Sequence, residues 1–150
     1  MQMRIHQGNI WDIYSYTDLF LFTSNGVVNN GKLVMGAGIA KQVRDRFKGI
    51  DAAIGKVILD GGYSLNNPYG LLLSPSGGKV GLFQTKLHWK DESPLWLVEK
   101  SAQMLMEWAN NNPDKRVDMT YPGIGHGGRT VDEVYPIIQH LPDNVNVWRY

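Results

Sequence analysis

The sequence predicts an α/β sandwich. Three observations predict it. Short strand-like runs alternate with helix-like stretches along the 150 residues. One run, Leu19 to Thr23 (Leu-Phe-Leu-Phe-Thr), is continuously apolar, as expected of a strand buried on both faces. Two groups of glycines, Gly26/Gly31/Gly36/Gly38 and Gly123/Gly125/Gly127/Gly128, each follow a predicted strand and precede a predicted helix.

The elements read as follows. Met3 to His6 alternates apolar and polar residues, as a short strand does. Leu19 to Thr23 is the buried strand. Ile39, Ala40, Val43 and Phe47 then fall at helical spacing, with Arg44, Asp45, Arg46 and Lys48 on the other face. Lys56 to Leu59, Leu71 to Leu73 and Val80 to Gln84 are predicted strands. Ser93-Pro94 resembles a helix start, with Ser at N-cap and Pro at N1. Leu95, Val98, Ala102, Leu105 and Ala109 continue that helix on one stripe, and Asn110-Asn111-Asn112-Pro113 ends it. Arg116 to Thr120 is a strand running into the second glycine group. Val131 to His140 reads as a helix, and Pro136 requires either a late start or a kink. Val145 to Trp148 is the last strand. Asn66-Asn67-Pro68 and Pro75-Ser76-Gly77-Gly78 are turn signals, not linkers, so residues 1–150 form one predicted domain.

Composition narrows the function classes. Hydrophobic content of 43% with 19% charged residues is that of a globular chain. A net charge of +1 supplies no field for charge-driven bulk binding of nucleic acid or an acidic membrane. With no cysteine, disulfides, thiolate metal sites and a Cys nucleophile are excluded. No run approaches the ~18 apolar residues of a membrane span. The first ten residues mix Gln, Arg, His and Asn, so no secretory apolar core is present. The expected setting is cytoplasmic. Four histidines without clustered spacing make no metal site, and no cofactor motif stands out.

Glycine is the outlier, at 17 of 150 residues. Glycine lets backbone approach a ligand closely. In open α/β sheets, ligands bind outside the carboxyl ends of strands. A helix N-terminus there offers free N–H groups to a phosphate. A diphosphate held by two loops follows from this arrangement. Gly36-Ala37-Gly38 is not a dinucleotide fingerprint, because the third small residue is replaced by Lys41. A phosphate-binding Gly-Lys-Ser/Thr loop is also missing.

Three motifs instead resemble those of the macro domain family. Gly8-Asn9-Ile10 stands where that family carries Gly-Asp-Ile/Leu after its first strand. Val34-Met35-Gly36-Ala37-Gly38-Ile39-Ala40 is similar to its first ligand loop, and Pro122-Gly123-Ile124-Gly125-His126-Gly127-Gly128 to its phosphate-cradling loop. The resemblance implies a three-layer α/β/α fold with a mixed central sheet, and ADP-ribose as ligand. Carried over position by position, it implies a binding site of Gly8, Asn9, Ile10, Asn25, Met35, Gly36, Ala37, Gly38, Ile39, Thr85, Gly123, Ile124, Gly125, Gly127, Gly128 and Trp148. In that site Asn25 would contact the distal ribose, Asn9 the adenine amine, and Trp148 the adenine ring.

Phe83-Gln84-Thr85-Lys86-Leu87-His88-Trp89 is similar to a segment of the antitoxin macro domains that remove ADP-ribose from DNA. The terminal ADP-ribose protein glycohydrolases share the Thr-Lys. Lys86 is therefore the implied nucleophile. Its amine must be neutral to attack, against a free pKa of ~10.4, and burial or a nearby cation would lower it. A plain solvated lysine at a strand end is the alternative. His126 is a candidate phosphate donor or acid/base. The protein glycohydrolases carry an assisting acid in the second loop, and here only Asp132 or Glu133 lies near. Three activities are compatible with the residues: release of ADP-ribose from DNA or protein, dephosphorylation of ADP-ribose-1″-phosphate, and ADP-ribose binding without chemistry.

Overall fold

The computed structural model describes residues 2–75 and 77–150. Met1 of the N-terminal segment and Ser76 of the second turn signal lie outside the described residues.

Strand β1 (Arg4–Gln7) leads through a 3-10 turn (Ile10–Ile13) to β2 (Leu19–Ser24). A hairpin of β3 (Val28–Asn29) and β4 (Lys32–Leu33) follows, then helices α1 (Gly38–Arg46) and α2 (Ile50–Asp60). Next come β5 (Leu71–Leu72), β6 (Val80–Gln84) and the long α3 (Leu95–Asn111). The chain closes with β7 (Val117–Thr120), α4 (Val131–Ile138) and β8 (Val145–Arg149).

Six strands form one sheet in the order β1-β8-β7-β2-β6-β5. All neighbours are parallel except β5, which runs antiparallel to β6. The sheet is thus mixed, with helices on both faces. Alternation along β2 divides the core. Leu19 and Leu21 point to the α3/α4 side, where they meet Val98, Leu105, Val134 and Ile138. Phe20 and Phe22 point to the α1/α2 side, among Val43, Ile54 and Ile58. A strand that feeds two cores has no polar position to spare, which is why it reads as one apolar run.

Two expected elements differ. Lys56 to Leu59 belongs to α2, not to a strand. The helix buries Ile50, Ile54 and Ile58 at four-residue spacing, and that stripe outweighs the β-branched Lys-Val-Ile-Leu stretch. The helix from residue 93 starts one residue late: Pro94 is the N-cap, and the Ser93 side chain caps nothing. In α4, Pro136 lies inside the helix, which starts at Val131 on a capping box of Thr130 and Glu133. The box fixes the start early, so Pro136 falls beyond the first turn.

The hairpin turns on Asn30 and Gly31, both with positive φ (52° and 78°). Helix α2 rests directly on it. A Cβ at Gly55 would lie 2.1 Å from the Gly31 carbonyl oxygen and 3.0 Å from Lys32 Cα. Both neighbours are backbone, so they cannot swing away. Gly55→Ala is expected to lower the unfolding free energy by about 1–3 kcal/mol, although alanine favours helix by nearly 1 kcal/mol. Urea denaturation checks this, and an unchanged or higher midpoint would contradict the helix–hairpin contact.

Candidate functional site

The parallel strands β1, β8, β7, β2 and β6 all end at the same edge of the sheet. A cleft of about 640 Å³ opens there. Strand β2 leads into helix α1 on one face, and β7 leads into α4 on the other. Diverging connections leave a crevice between the two strands. Both glycine groups supply its walls.

At one end stand Gly8, Asn9 and Ile10, which follow β1, and Trp148 near the end of β8. In the middle, Gly36, Ala37, Gly38 and Ile39 face Gly123, Ile124, Gly125, His126 and Gly127. At the other end, after β2 and β6, are Asn25, Thr85 and Lys86. Strands β8 and β6 are three positions apart, so the ends are separated by roughly 14 Å. Of the residues expected in the site, Met35 and Gly128 do not line the cleft. The Met35 side chain is 2% exposed and packs in the core beneath α1. Gly128 caps the 3-10 turn Gly125–Gly127 at φ 74° and lies against Glu92 instead.

The middle of the cleft is backbone. Helix α1 begins at Gly38, with Ala37 extended as its N-cap and no side chain capping it. Its first N–H groups carry the positive end of the helix dipole. His126 stands across from it: its Cδ2 would be 3.8 Å from a Cβ at Gly38. Gly36 and Gly125 have open space where a side chain would go. Gly127 differs. A Cβ there would strike Ser93 Oγ at 2.6 Å, so its bareness serves packing between the second loop and the Ser93 segment. That segment is tied down by Ser93 N–H donating to the Gly127 carbonyl (2.8 Å) and by Arg129 Nε donating to the Ser93 carbonyl (2.7 Å).

Two asparagines are more committed than the sequence suggests. Asn9 Oδ1 accepts from Trp11 N–H at 3.0 Å and caps the first 3-10 turn. Asn25 is 8% exposed. Its Nδ2 donates to the Val34 carbonyl (3.0 Å) and its Oδ1 accepts from Val27 N–H (2.8 Å), stapling the first glycine loop to the end of β2.

Lys86 leaves β6 at the cleft end. Its Nζ donates to the Trp89 carbonyl at 3.2 Å. Its own carbonyl accepts from Gln84 Nε2 at 3.0 Å. Partial burial moves the Lys86 ammonium below the ordinary lysine value, against a weaker upward pull from Asp91. Among the described residues no carboxylate lines the cleft. Glu133 is held in the capping box and by Arg129 at 3.4 Å, and both partners keep its carboxyl below its usual range. Sequence reasoning passed over Thr120 and Tyr121 as cleft residues, and Trp89 and Tyr150 at its rim. The Thr120 hydroxyl is buried without a hydrogen-bond partner among the described residues. Position was the available signal, since Thr120 is the carboxyl-terminal residue of β7, the strand that runs into the second glycine group.

No protein-family model matches the chain, and no curated protein does. Solved structures do. The chain is similar to the macrodomain of Mycobacterium tuberculosis DarG, with TM-score 0.72 and 22% identity over 99% of this chain and 97% of that one. It is similar to the macrodomain of Thermus aquaticus DarG, with TM-score 0.68 and 24% identity over 99% and 97%. It also matches Thermosipho africanus DarTG in complex with ADP-ribose, with TM-score 0.71 and 20% identity over 99% of this chain, which spans 43% of that longer one. Near-complete coverage by these structures, on a six-stranded mixed sheet between two helical layers, makes this chain a macrodomain in its fold.

Proposed function

We propose that this chain binds ADP-ribose along the cleft and hydrolyses an ADP-ribosyl linkage on a macromolecule, with Lys86 as nucleophile. The observation that carries the reading is the order of chemistry along the cleft. A flat aromatic, Trp148, stands at one end, bare backbone at a helix N-terminus in the middle, and Lys86 at the other end. ADP-ribose has the same order: a base, a diphosphate, and a second ribose whose C1″ carries the linkage. A cleft lined by Lys86 and His126 without a carboxylate suits the diphosphate. The structure of Thermosipho africanus DarTG in complex with ADP-ribose supports the choice of ligand.

In this mechanism the neutral Lys86 amine attacks C1″. The bond from C1″ to the ring oxygen breaks and that oxygen takes a proton from solvent. The bond from C1″ to the macromolecule breaks and the macromolecule leaves with its bonding electrons and a proton from the amine, giving a protonated imine between Lys86 and the sugar. Water adds to the imine carbon, the C–N bond breaks to free the neutral amine and an aldehyde while one proton returns to solvent, and the ring hydroxyl closes on the aldehyde to give ADP-ribose. Burial of the Lys86 stem favours the neutral amine. His126 faces the helix N-terminus and serves the diphosphate.

One observation favours a second reading, binding without turnover: among the described residues no carboxylate stands in the cleft to assist proton transfer.

Calorimetry is expected to show ADP-ribose binding by both wild type and Lys86→Ala. Release of ADP-ribose from modified DNA or protein should fall by at least about a thousandfold in Lys86→Ala. Normal release by that variant would refute the nucleophile. No release by wild type would leave the binding reading, and phosphate liberated from ADP-ribose-1″-phosphate would redirect the assignment to that metabolite.

Because the attacking form is neutral and its pKa lies below the ordinary lysine value, turnover should rise with pH. It should level off at a pH lower than a free lysine would require. A rate that falls across that range would contradict attack by Lys86.

A Cβ at Gly36 would meet nothing within 4 Å, so Gly36→Val directs its methyls into the cleft. Thermal stability should be unchanged and ADP-ribose affinity reduced at least about tenfold. Unchanged affinity would mean the ligand does not pass the first glycine loop.

A further inference from the structure

Beneath the Trp148 end of the cleft lies a charged group that the proposed chemistry does not use. Asp118, in the middle of β7, is 0% exposed. A buried carboxylate is costly unless paired and hydrogen-bonded. Arg116 supplies the pairing, with Nε donating to Oδ2 at 2.9 Å and a terminal nitrogen donating to Oδ1 at 3.2 Å. The remaining strong bond goes elsewhere: Trp148 Nε1 donates to Asp118 Oδ1 at 2.8 Å.

The register explains the reach. Asp118 pairs with Asn146 and Thr120 with Trp148, so all four side chains share one sheet face and the carboxylate meets the indole diagonally. Two neighbours restrain the ring further. His6 stacks on the indole at 4.7 Å between ring centres and 21° between planes. His6 is itself fixed, with Nε2 donating to Asn146 Oδ1 at 2.8 Å while the Asn146 amide donates to the Val117 carbonyl. Gly8 leaves room beside the benzo ring, where a Cβ would already be 3.6 Å away.

The indole's only donor is therefore turned into the protein and spent on a charge. What Trp148 can offer the cleft is its π surface, held in one orientation. A rigid ring costs a ligand less ordering entropy than a mobile one, and stacking on it serves a planar base.

We propose that Asp118 is a positioning residue for the base end of the cleft, its buried carboxylate fixing the Trp148 indole as the platform for the adenine ring. This rests on the ADP-ribose reading above. The test is a double-mutant cycle in which affinities are measured for ADP-ribose and for ribose 5-phosphate, which has no base. Asp118→Leu should weaken ADP-ribose binding about tenfold and leave ribose 5-phosphate binding unchanged. Asp118→Asn, which keeps an acceptor for the indole, should recover most of the loss. Trp148→Phe keeps a ring but lacks the N–H and leaves the Asp118–Arg116 pair intact. It should lose affinity by a similar factor, and adding Asp118→Leu should cost nothing more.

Equal losses for both ligands, or a further tenfold loss in the Trp148→Phe background, would make Asp118 a general structural residue and overturn the inference. Wild-type affinity in Asp118→Leu would overturn it as well. Should Asp118→Leu fail to fold, Trp148→Phe decides alone, and wild-type affinity in that variant refutes the platform. A wild-type protein that binds no ADP-ribose fails the underlying reading and takes this inference with it. Binding by wild type together with insensitive variants fails the inference only.

Discussion

The parallel pairing of β2 with β6 on one side and β7 on the other is the constraint on which the cleft depends. The registers Ser24 to Gln84 and Leu21 to Met119 bring the three strand ends to one edge. Each strand then releases its own loop at that edge: the stapled first glycine loop after β2, Lys86 after β6, the second glycine loop after β7. The apolar run of β2 fixes the pairing, because it must be covered on both faces at once. A one-residue slip would carry Phe20 and Phe22 into the α3/α4 core and Leu21 out of it. The site is thus a product of core packing before it is a product of loop sequence.

Polar groups then lock what the apolar register only aligns. Gln84 is 0% exposed. Its Oε1 accepts from Gly70 N–H at 2.9 Å and its Nε2 donates to the Lys86 carbonyl, while Ser101 donates to its main-chain carbonyl at 2.7 Å. Gly26 lies over this amide so closely that a Cβ would be 2.9 Å from Nε2. The backbone at Lys86 is held by these contacts, and Asn25 does the same for the loop opposite. Each of these buried amides both donates and accepts through its side chain, and a partnered polar group of this kind specifies geometry as well as position.

Much of this was legible in the sequence. Helical and strand periods gave most elements, and the three motifs placed both cleft walls. What escaped has physical causes. Lys56 to Leu59 reads locally as a strand because Val57 and Ile58 are β-branched and Leu59 is apolar, and the Ile50/Ile54/Ile58 stripe is visible only over a longer window. Met35 lies between two cleft-lining neighbours, Val34 and Gly36, while its own side chain turns into the core. Asn25 lines the cleft, but that its side chain also holds the Val27 and Val34 backbone depends on how the loop folds back on β2, which local sequence does not display. Glu92 reaches Gly128 only because the Ser93 segment folds onto the second loop, a contact between residues 36 positions apart in sequence. Asp118 gave no sequence signal at all, since a single acid in a short strand reads as solvent-facing.

The proposed function stands on one ligand spanning the edge of the sheet from Trp148 to Lys86 across both glycine loops. Amide NMR with titrated ADP-ribose measures this most directly. Saturable shifts are expected at Gly8, Gly36, Gly38, Gly125 and Lys86 together, with one affinity, and none on the far side of the sheet along α3. Shifts confined to one end of the cleft, or absent from the glycine amides at saturation, would contradict it.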